Sequence, residues 1–402
     1  MSEISIHEFA NDVVVVGGCG HVGLPLAIAF ADANLNVIAL DINPVSVAMV
    51  NNAKLPFREE GAQEKLNIAV STGKLRSTTS RDLVSTAEFV VVVIGTPVDE
   101  HLAPNPEAII AAFEDLKNYF VKGQTIILRS TVYPGVTKRI EDWLASNHLK
   151  LHLAFCPERI AEGKAMTELH SFPQIIGARD VESRDKATSL FSRLGVQFVY
   201  VTPEEAELAK LFTNVWRYIK FAAVNQFYMM ANDVGVDFEQ VRNAITFEYP
   251  RAADMPGAGF AAGPCLFKDT MQLGAFSHNG FVLGHAAMLV NEGLPGYVVD
   301  RMHSQYPLGN LTVGILGMAF KAEVDDPRSS LSYKLRKQLL FKAKEVLISD
   351  PYVEDDRLIT AEELIERSDV IVIGTPHRIY KNLLINKPLF DIWNMNSKGV
   401  LF

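Results

Sequence analysis

The sequence is short of cysteine, and its cysteines lack metal-binding spacing. Only three of the 402 residues are cysteine, namely Cys19, Cys156 and Cys265, and they are far apart and odd in number. A zinc site would need closely spaced cysteine or histidine pairs, and a disulfide framework would need an even set. We therefore expect a protein of a reducing compartment, without a structural metal or a disulfide.

Positive charge and long apolar segments are also scarce. The formal net charge is -9, which argues against a general nucleic-acid binder because phosphate binding needs clustered Lys and Arg. No apolar run approaches the ~18 residues that a membrane span needs. Residues 1–12 carry acids and lack an apolar core, so they predict no signal peptide. The expected protein is cytoplasmic, with no membrane and no nucleic-acid partner.

Short apolar runs alternate with helical patterns in the first half of the chain. Strands are predicted at 13–16, 37–40, 89–94 and 125–128. Strands that are apolar throughout are typical of parallel sheets covered by helices on both faces. Residues 1–200 are therefore predicted to form a doubly wound, Rossmann-like domain.

A long helix is predicted next. Thr202 is a good N-cap, Pro203 suits the first helical position, and Glu205 completes a capping box. No glycine or proline then interrupts the pattern until about Asn232. Residues 201–305 are predicted to form a central helical domain that contains this connecting helix.

A second α/β segment follows, with strands predicted in 311–320, 346–350 and 369–376. The last of these ends in the same Gly-Thr-Pro that occupies 95–97, which indicates a second Rossmann-like domain over 306–402. The predicted fold class is thus α/β, with two Rossmann-like doubly wound domains joined by a central helical domain with a long connecting helix.

A glycine motif follows the first predicted strand. Residues 18–23 read GCGHVG and open a helix, as in dinucleotide-binding turns whose amides and helix dipole bind a pyrophosphate. Asp41 ends the next predicted strand, where a carboxylate bonds the adenosine ribose and repels a 2′-phosphate. The pair predicts NAD rather than NADP. A structural glycine turn and an FAD site are the alternatives, and nothing later in the chain supports FAD.

Other cofactor contacts are expected where further strands end, because ligands of such sheets bind outside the carboxyl ends of the strands. Ordinary loop residues are the alternative at each of these positions. The residues expected to bind the dinucleotide are Gly18, Gly20, His21, Val22, Gly23, Asp41, Thr96, Pro97 and Thr131.

A second constellation surrounds Cys265. Residues 257–270 read GAGFAAGPCLFKDT, so small residues precede the cysteine, and Lys268 and Asp269 follow within one helical turn. A nearby ammonium group or helix N-terminus lowers a thiol pKa, as a nucleophile requires. A lone cysteine is more often a small core residue, but this loop and the dinucleotide motif favour a nucleophile.

Two further sets of polar residues complete the candidate site. Lys210 and Asn214 share one helix face and can donate to an oxyanion, although a solvated helix face is the alternative. Glu158 and Glu162 follow a predicted strand and are acid/base candidates. Cys156 lacks a neighbouring lysine and a glycine loop, and is interpreted as structural.

Seven motifs, in order, resemble those of the UDP-glucose/GDP-mannose dehydrogenase family over nearly the whole chain. They are GGCGHVGLP (17–25), IGTPVDE (94–100), RSTVYPG (129–135), CPERIAEG (156–163), AELAKLFTN (206–214), GFAAGPCLFKD (259–269) and GMAFKAEVDDPRSS (317–330). The resemblance implies a four-electron oxidation by two NAD in turn. The C6 alcohol of a UDP- or GDP-sugar becomes an aldehyde, a cysteine thiohemiacetal, a thioester and finally a uronate. A homodimer is also implied.

The resemblance assigns a role to each matching position. Cys265 would be the nucleophile, Lys210 and Asn214 would stabilise the oxyanion, Asp269 would organise the lysine and water, and Glu158 would assist thioester hydrolysis. The implied catalytic residues are Cys265, Lys210, Asn214, Asp269, Glu158 and Thr131. Those implied for the substrate are Glu158, Arg159, Glu162, Lys210, Asn214, Arg251, Phe260, Gly263 and Lys321.

Some positions carry further implications. Lys268 and Arg328 would reach phosphates of the cofactor or substrate, and Arg251 matches an arginine that reaches across a dimer. Ala261–Ala262 replaces the usual glycine pair, and sequences with this loop resemble branches that use N-acetylhexosamine nucleotides. Two alternatives stay open: a two-electron β-hydroxyacid or 6-phosphogluconate-type dehydrogenase, and a catalytically silent protein that binds NAD or a nucleotide sugar.

Overall fold

The computed structural model describes residues 9–95, 107–395 and 401. The chain divides into two compact units between Thr213 and Asn214, and each unit is described by itself. Within the described ranges, no helix is both long enough and apolar enough to cross a membrane.

The first unit is built on an eight-stranded sheet. In chain order its strands are β1 (Asn11–Val16), β2 (Val37–Leu40), β3 (Leu75–Thr78), β4 (Ala87–Val92), β5 (Thr125–Leu128), β6 (His152–Phe155), β7 (Gln174–Ala178) and β8 (Phe198–Val201). The spatial order is β3-β2-β1-β4-β5-β6-β7-β8, and the six strands from β3 to β6 are parallel. This order creates a switch point between β1 and β4, where dinucleotides bind in doubly wound sheets.

Helices cover both faces of this sheet. They are α1 (Gly23–Asp32), α2 (Pro44–Asn51), α3 (Ala62–Ser71), α4 (Glu107–Leu116), α5 (Val136–Ser146), α6 (Ala165–Ser171) and α7 (Val181–Ser192). Because side chains alternate along a strand, Val13 and Val15 of β1 enter one apolar core while Val14 and Val16 enter the other. Burial on both faces explains why residues 13–16 of β1 are all valine.

Strands β7 and β8, which are not among the predicted strands, run opposite to the six parallel strands. Strand β7 runs antiparallel to β6, and β8 runs parallel to β7. The outer strand β8 is half-exposed, so its sequence lacks the continuous apolar pattern that identifies the inner strands. The predicted α/β class is confirmed, with a mixed rather than parallel far edge in the first sheet.

The predicted long helix is α8 (Pro203–Asp233), which has 31 residues. Its N-terminus forms the expected capping box: the Thr202 N–H donates to a Glu205 carboxylate oxygen at 2.7 Å, and the Glu205 N–H donates to the Thr202 hydroxyl at 3.3 Å. Two N–H groups that a helix start leaves without partners are thereby satisfied.

The second unit contains helices and a smaller sheet. Its helices beyond α8 are α9 (Phe238–Thr246), α10 (Leu266–Phe276), α11 (Val282–Gln305), α12 (Leu331–Leu339) and α13 (Ala361–Arg367). Its strands are β9 (Thr312–Leu316), β10 (Glu345–Ser349), β11 (Val370–Ile373) and β12 (Leu389–Phe390). They are all parallel, in the order β10-β9-β11-β12. This is the second Rossmann-like sheet that the sequence predicts.

Candidate active site

Two glycines of the turn between β1 and α1 have no room for a side chain. Gly17 has a φ of +78°, and a Cβ there would lie 2.0 Å from the Val93 carbonyl oxygen. A Cβ on Gly23 would lie 2.1 Å from the Gly17 carbonyl oxygen. Gly20 differs, since its nearest such atom would be 3.6 Å away. Gly17 and Gly23 therefore build the turn, while Gly20 leaves an open face that a pyrophosphate can approach.

Asp41 lies at the end of β2, beside this turn. Its carboxylate accepts hydrogen bonds from the backbone N–H groups of Cys19 and Asn43, both at 3.0 Å. Asp41, Gly20 and Gly95 help to line a cavity of about 690 Å³ at this end of the sheet. The glycine turn, the carboxylate and this cavity fit the adenosine and pyrophosphate of NAD. Burial, reinforced by the Asp41 charge, raises the pKa of Cys19 to about 12, so Cys19 is a neutral packing residue.

The rest of the glycine motif joins the turn to its surroundings. Gly18 packs flat against β2 and has no room for a Cβ, and Val22 lies at the N-cap position of α1. The His21 ring stacks on Phe57 with the ring centroids 4.1 Å apart. Its Nε2 lies 3.5 Å from a carboxylate oxygen of Glu162. His21 thus connects the cofactor turn to the loop that follows β6.

Glu158 is buried in that loop, and its carboxylate is held on both oxygens. One oxygen pairs with the Arg129 guanidinium, and the other accepts from the N–H groups of Arg159 at 2.6 Å and Ile160 at 2.9 Å. Arg129 also donates to the Cys156 carbonyl at 3.1 Å. The sequence analysis includes Arg129 only as part of the motif at 129–135, and its contact with Glu158 was not predicted. Burial raises the pKa of Cys156 to about 12 against the opposing effect of Arg129, which agrees with a structural cysteine.

Other expected residues of the first unit lie at strand ends. Thr131 is half-buried just beyond β5, and the Arg159 guanidinium donates to the Pro173 carbonyl. Thr96 and Pro97 lie outside the described residues.

Helix α8 carries Lys210 and Asn214 one turn apart, as the sequence predicts. Both side chains are buried, Lys210 being 7% exposed. Among the described residues, no hydrogen bond or ion pair is found for the Lys210 ammonium group. Glu207, which the sequence analysis missed, is one turn earlier and accepts from the Gly135 N–H at 2.7 Å and the Thr137 N–H at 2.8 Å. It thereby caps α5 and fixes the start of α8 against it, although burial raises its pKa.

Cys265 lies at the N-cap position of α10, and its side chain is exposed. Asp269, one turn later, is 0% exposed, and it accepts a hydrogen bond of 2.6 Å from the Asn214 amide. The Lys268 ammonium lies 3.7 Å from the other Asp269 oxygen. The second unit therefore brings four of the predicted residues together at the start of α10.

The loop before Cys265 is fixed from two sides. The Asn225 side chain bonds both the N–H and the carbonyl of Gly259, at 3.0 and 2.9 Å, and also bonds Asn291 at 3.0 Å. Phe260 is buried and packs edge-on against Trp393. Neither asparagine was singled out from the sequence, since a polar residue inside a helix shows no partner until the fold is known.

The segment 317–330, here named the lysine loop, contacts the cysteine loop. Gly263 has a φ of +104°, and a Cβ there would lie 2.6 Å from the Phe320 ring. Lys321 follows directly and is half-buried. Arg328 is exposed and makes a bidentate pair with Asp326 at 2.6 to 2.9 Å. Arg251 is exposed in a turn after α9.

The sheet order, the glycine turn and the cavity beside Asp41 define a dinucleotide-binding α/β protein with a second, smaller Rossmann-like sheet. Models of the UDP-glucose/GDP-mannose dehydrogenase family match three successive parts of the chain. They are the NAD binding domain over 12–195, the central domain over 204–292 and the UDP binding domain over 314–398. The chain belongs to this family.

Individual relatives agree with that membership. A UDP-N-acetyl-D-mannosamine dehydrogenase of Methanococcus aeolicus is 29% identical over 92% of this chain and 86% of its own length. An NDP-N-acetyl-D-galactosaminuronic acid dehydrogenase of Ralstonia nicotianae is 26% identical over 92% of each chain. The solved UDP-glucose dehydrogenase of Pyrobaculum islandicum superposes with a TM-score of 0.88 at 25% identity, covering 97% of this chain and 95% of that one. The protein is thus an NAD-dependent nucleotide-sugar dehydrogenase.

Proposed function

We propose that this chain is a UDP-N-acetylhexosamine 6-dehydrogenase that oxidises the C6 alcohol to a carboxylate through a thioester on Cys265. The observation that carries the proposal is the environment of this cysteine. Its thiol is exposed at the start of α10, and the buried Asp269–Asn214 pair lies one turn away. A helix N-terminus stabilises a thiolate, so an accessible nucleophile stands beside fixed polar groups.

Oxyanion stabilisation is the role proposed for Lys210 and Asn214. When bound, NAD supplies the hydride acceptor for both oxidations. The oxygen bears negative charge as an alkoxide once its proton is lost, and again when the thiolate or water adds to the carbonyl carbon. Donors fixed in a water-poor site stabilise that charge. The buried Lys210 ammonium has N–H donors to spare, and Asp269 orients the Asn214 amide through their 2.6 Å hydrogen bond.

Covalent catalysis is the role proposed for Cys265. Its thiolate attacks the aldehyde carbon, the C–S bond forms, and the oxygen takes up a proton to give a thiohemiacetal. Loss of hydride from the same carbon, and of the hydroxyl proton, leaves a thioester. A two-electron dehydrogenase needs no such step, so an exposed cysteine beside the polar pair favours the four-electron reaction.

Thioester hydrolysis is the step proposed for Glu158, with Thr131 placing the water. Water adds to the thioester carbon, the C–S bond breaks, and the Cys265 thiol is regenerated with the carboxylate. Glu158 would receive the proton of the water. Its two backbone hydrogen bonds and its Arg129 pair support a single fixed orientation for this carboxylate.

A UDP-N-acetylhexosamine is the proposed substrate, with UDP-N-acetyl-D-mannosamine as the first candidate. Relatives with that printed activity cover more than nine-tenths of this chain, and a UDP binding domain model matches 314–398. We propose that three cations, Lys268, Lys321 and Arg328, neutralise the phosphate charge. Arg328 is already paired with Asp326, so only part of its charge is available to a phosphate. Domain limits of 1–200, 201–305 and 306–402 are also proposed, with support from the three family models that match successive parts of the chain.

A homodimer is proposed through an apolar face of α8. Phe212, Trp216, Phe227 and Met230 are each at least half exposed, and at 100° per residue they fall within one narrow face of the helix. Apolar patches of this kind are typical of protein interfaces. Arg251, exposed after α9, is proposed to serve the partner's site. The cytoplasmic location stays a prediction from the sequence.

The test is a panel of UDP-glucose, UDP-N-acetylglucosamine, UDP-N-acetylmannosamine, UDP-N-acetylgalactosamine and GDP-mannose with NAD. We expect turnover of an N-acetylhexosamine nucleotide with two NADH formed per sugar. One NADH per sugar, with an aldehyde product, would instead support a two-electron dehydrogenase. NAD binding without turnover of any sugar would support a silent binding protein.

A further inference from the structure

The lysine loop is held at its base by Asp350, the residue after β10. One Asp350 oxygen accepts from the backbone N–H groups of Met318 at 2.6 Å and Ala319 at 2.9 Å. The other accepts from the N–H groups of Tyr352 and Val353. Burial alone would raise the pKa of Asp350, but its hydrogen bonds lower it overall, so this carboxylate is a charged anchor.

His377 links this anchor to the far end of the lysine-bearing turn. Its ring is 0% exposed. The Nδ1 atom accepts a hydrogen bond of 3.0 Å from the Glu323 N–H, which requires the proton to lie on Nε2. Nε2 in turn lies 3.1 Å from the Asp350 carboxylate. One buried ring therefore connects the two ends of the segment 318–323, and Lys321 lies between them.

The Glu323 backbone needs such a partner. Its φ is +64°, a left-handed conformation that is strained for a residue with a side chain. The bond to His377, together with the Arg378 N–H that donates to the Glu323 carboxylate at 2.7 Å, holds this conformation. Without His377, the segment after Phe320 would be free to relax toward ordinary φ values.

We propose that His377 is a positioning residue for the nucleotide sugar, acting through the Glu323 N–H to set the conformation and reach of Lys321. The inference rests on the proposed role of Lys321 as a contact of the substrate. Because Phe320 packs against Gly263 of the cysteine loop, the same bond also fixes the lysine loop beside the segment that carries Cys265.

Two substitutions separate the two hydrogen bonds of the ring. The amide oxygen of Asn occupies a place close to Nδ1, so His377→Asn retains an acceptor for the Glu323 N–H. The amide nitrogen of Gln occupies a place close to Nε2, so His377→Gln retains the donor to Asp350 and loses that acceptor. We expect His377→Gln to raise the KM for UDP-N-acetyl-D-mannosamine about tenfold, and His377→Asn to recover most of that loss. The KM for NAD should stay unchanged in both variants.

The closing experiment is a double-mutant cycle with Lys321→Ala, read as KM for UDP-N-acetyl-D-mannosamine. If His377 acts through Lys321, adding His377→Gln to the Lys321→Ala variant should raise the KM little further. Fully additive effects, or equal KM values in the Gln and Asn variants, would overturn the inference. A Lys321→Ala variant with wild-type KM would instead refute the proposed role of the lysine itself. Ile371→Val, which truncates the core of β11, controls for lost stability and should leave both KM values unchanged.

Discussion

Gly20→Ala should separate cofactor binding from folding. Gly20 is the glycine of the turn whose added Cβ would meet nothing closer than 3.6 Å, an ordinary van der Waals contact. The fold should therefore accept the methyl group, and the thermal midpoint without NAD should stay near that of the wild type. The methyl group would instead project into the cavity beside Asp41, where a pyrophosphate has to approach the backbone.

The expected loss of NAD affinity follows from crowding. Forcing a methyl group into a well-packed contact costs about 1–3 kcal/mol, which corresponds to roughly a fivefold to 150-fold rise in Kd. Isothermal titration with NAD measures it directly, and the stabilisation of the protein by saturating NAD should shrink accordingly. A Gly20→Ala variant that binds NAD like the wild type would refute the position assigned to the pyrophosphate.

Gly73→Ala is the matched control. Gly73 has a φ of +70°, and its added Cβ would meet nothing within 4 Å, so the substitution introduces backbone strain without a clash. It should cost about 1–2 kcal/mol of stability and leave the Kd for NAD unchanged. Gly20→Ala is therefore expected to change the Kd for NAD and not the stability, and Gly73→Ala the stability and not the Kd. Loss of NAD affinity in both would indicate a general effect of destabilisation.

Four further predictions concern the thiols and the carboxylates. Cys265→Ser should abolish net oxidation and retain NAD binding. Iodoacetamide at pH 8 should label Cys265 and spare Cys19 and Cys156, since a pKa near 12 leaves only about one in ten thousand of the latter two thiols ionised. Equal labelling of all three cysteines in a peptide map would contradict this order. Asp41→Ala should shift the ratio of kcat/KM for NAD over NADP toward NADP by about tenfold, and an unchanged ratio would remove the ribose argument. Glu158→Gln should let a sugar thioester accumulate as added mass on the protein, and rapid turnover without an adduct would count against its hydrolytic role.

Local chemistry explains what the sequence predicts well. The predicted strands 37–40 and 125–128 have the same bounds in the structure, because an unbroken apolar run flanked by turn residues has few other solutions in a doubly wound sheet. The capping box of Thr202 and Glu205 forms as expected, since both partners lie within one turn. The glycine motif and Asp41 flank one cavity because the strands that precede them, β1 and β2, are neighbours in the sheet.

The elements that sequence reasoning missed depend on partners that are distant along the chain. Arg129 meets Glu158 only once β5 and β6 pair side by side. Asn225 meets Gly259 across 34 positions, and a buried asparagine in a helix gives no sign of which backbone it will bind. The edge strands β7 and β8 run opposite to the other six, and neither periodicity nor composition indicates the direction in which a strand joins a sheet.

The two Rossmann-like sheets also show why a motif alone does not define a ligand. Both place an aspartate directly after the second strand of the sheet, Asp41 after VIAL and Asp350 after EVLIS. Asp41 bonds two backbone N–H groups and lines an open cavity, so a ribose can still reach it. Asp350 is engaged by four backbone N–H groups and His377, which leaves no oxygen for a ribose. The second sheet therefore uses its aspartate to anchor a loop. Asp350→Asn should raise the KM for the nucleotide sugar without altering the Kd for NAD.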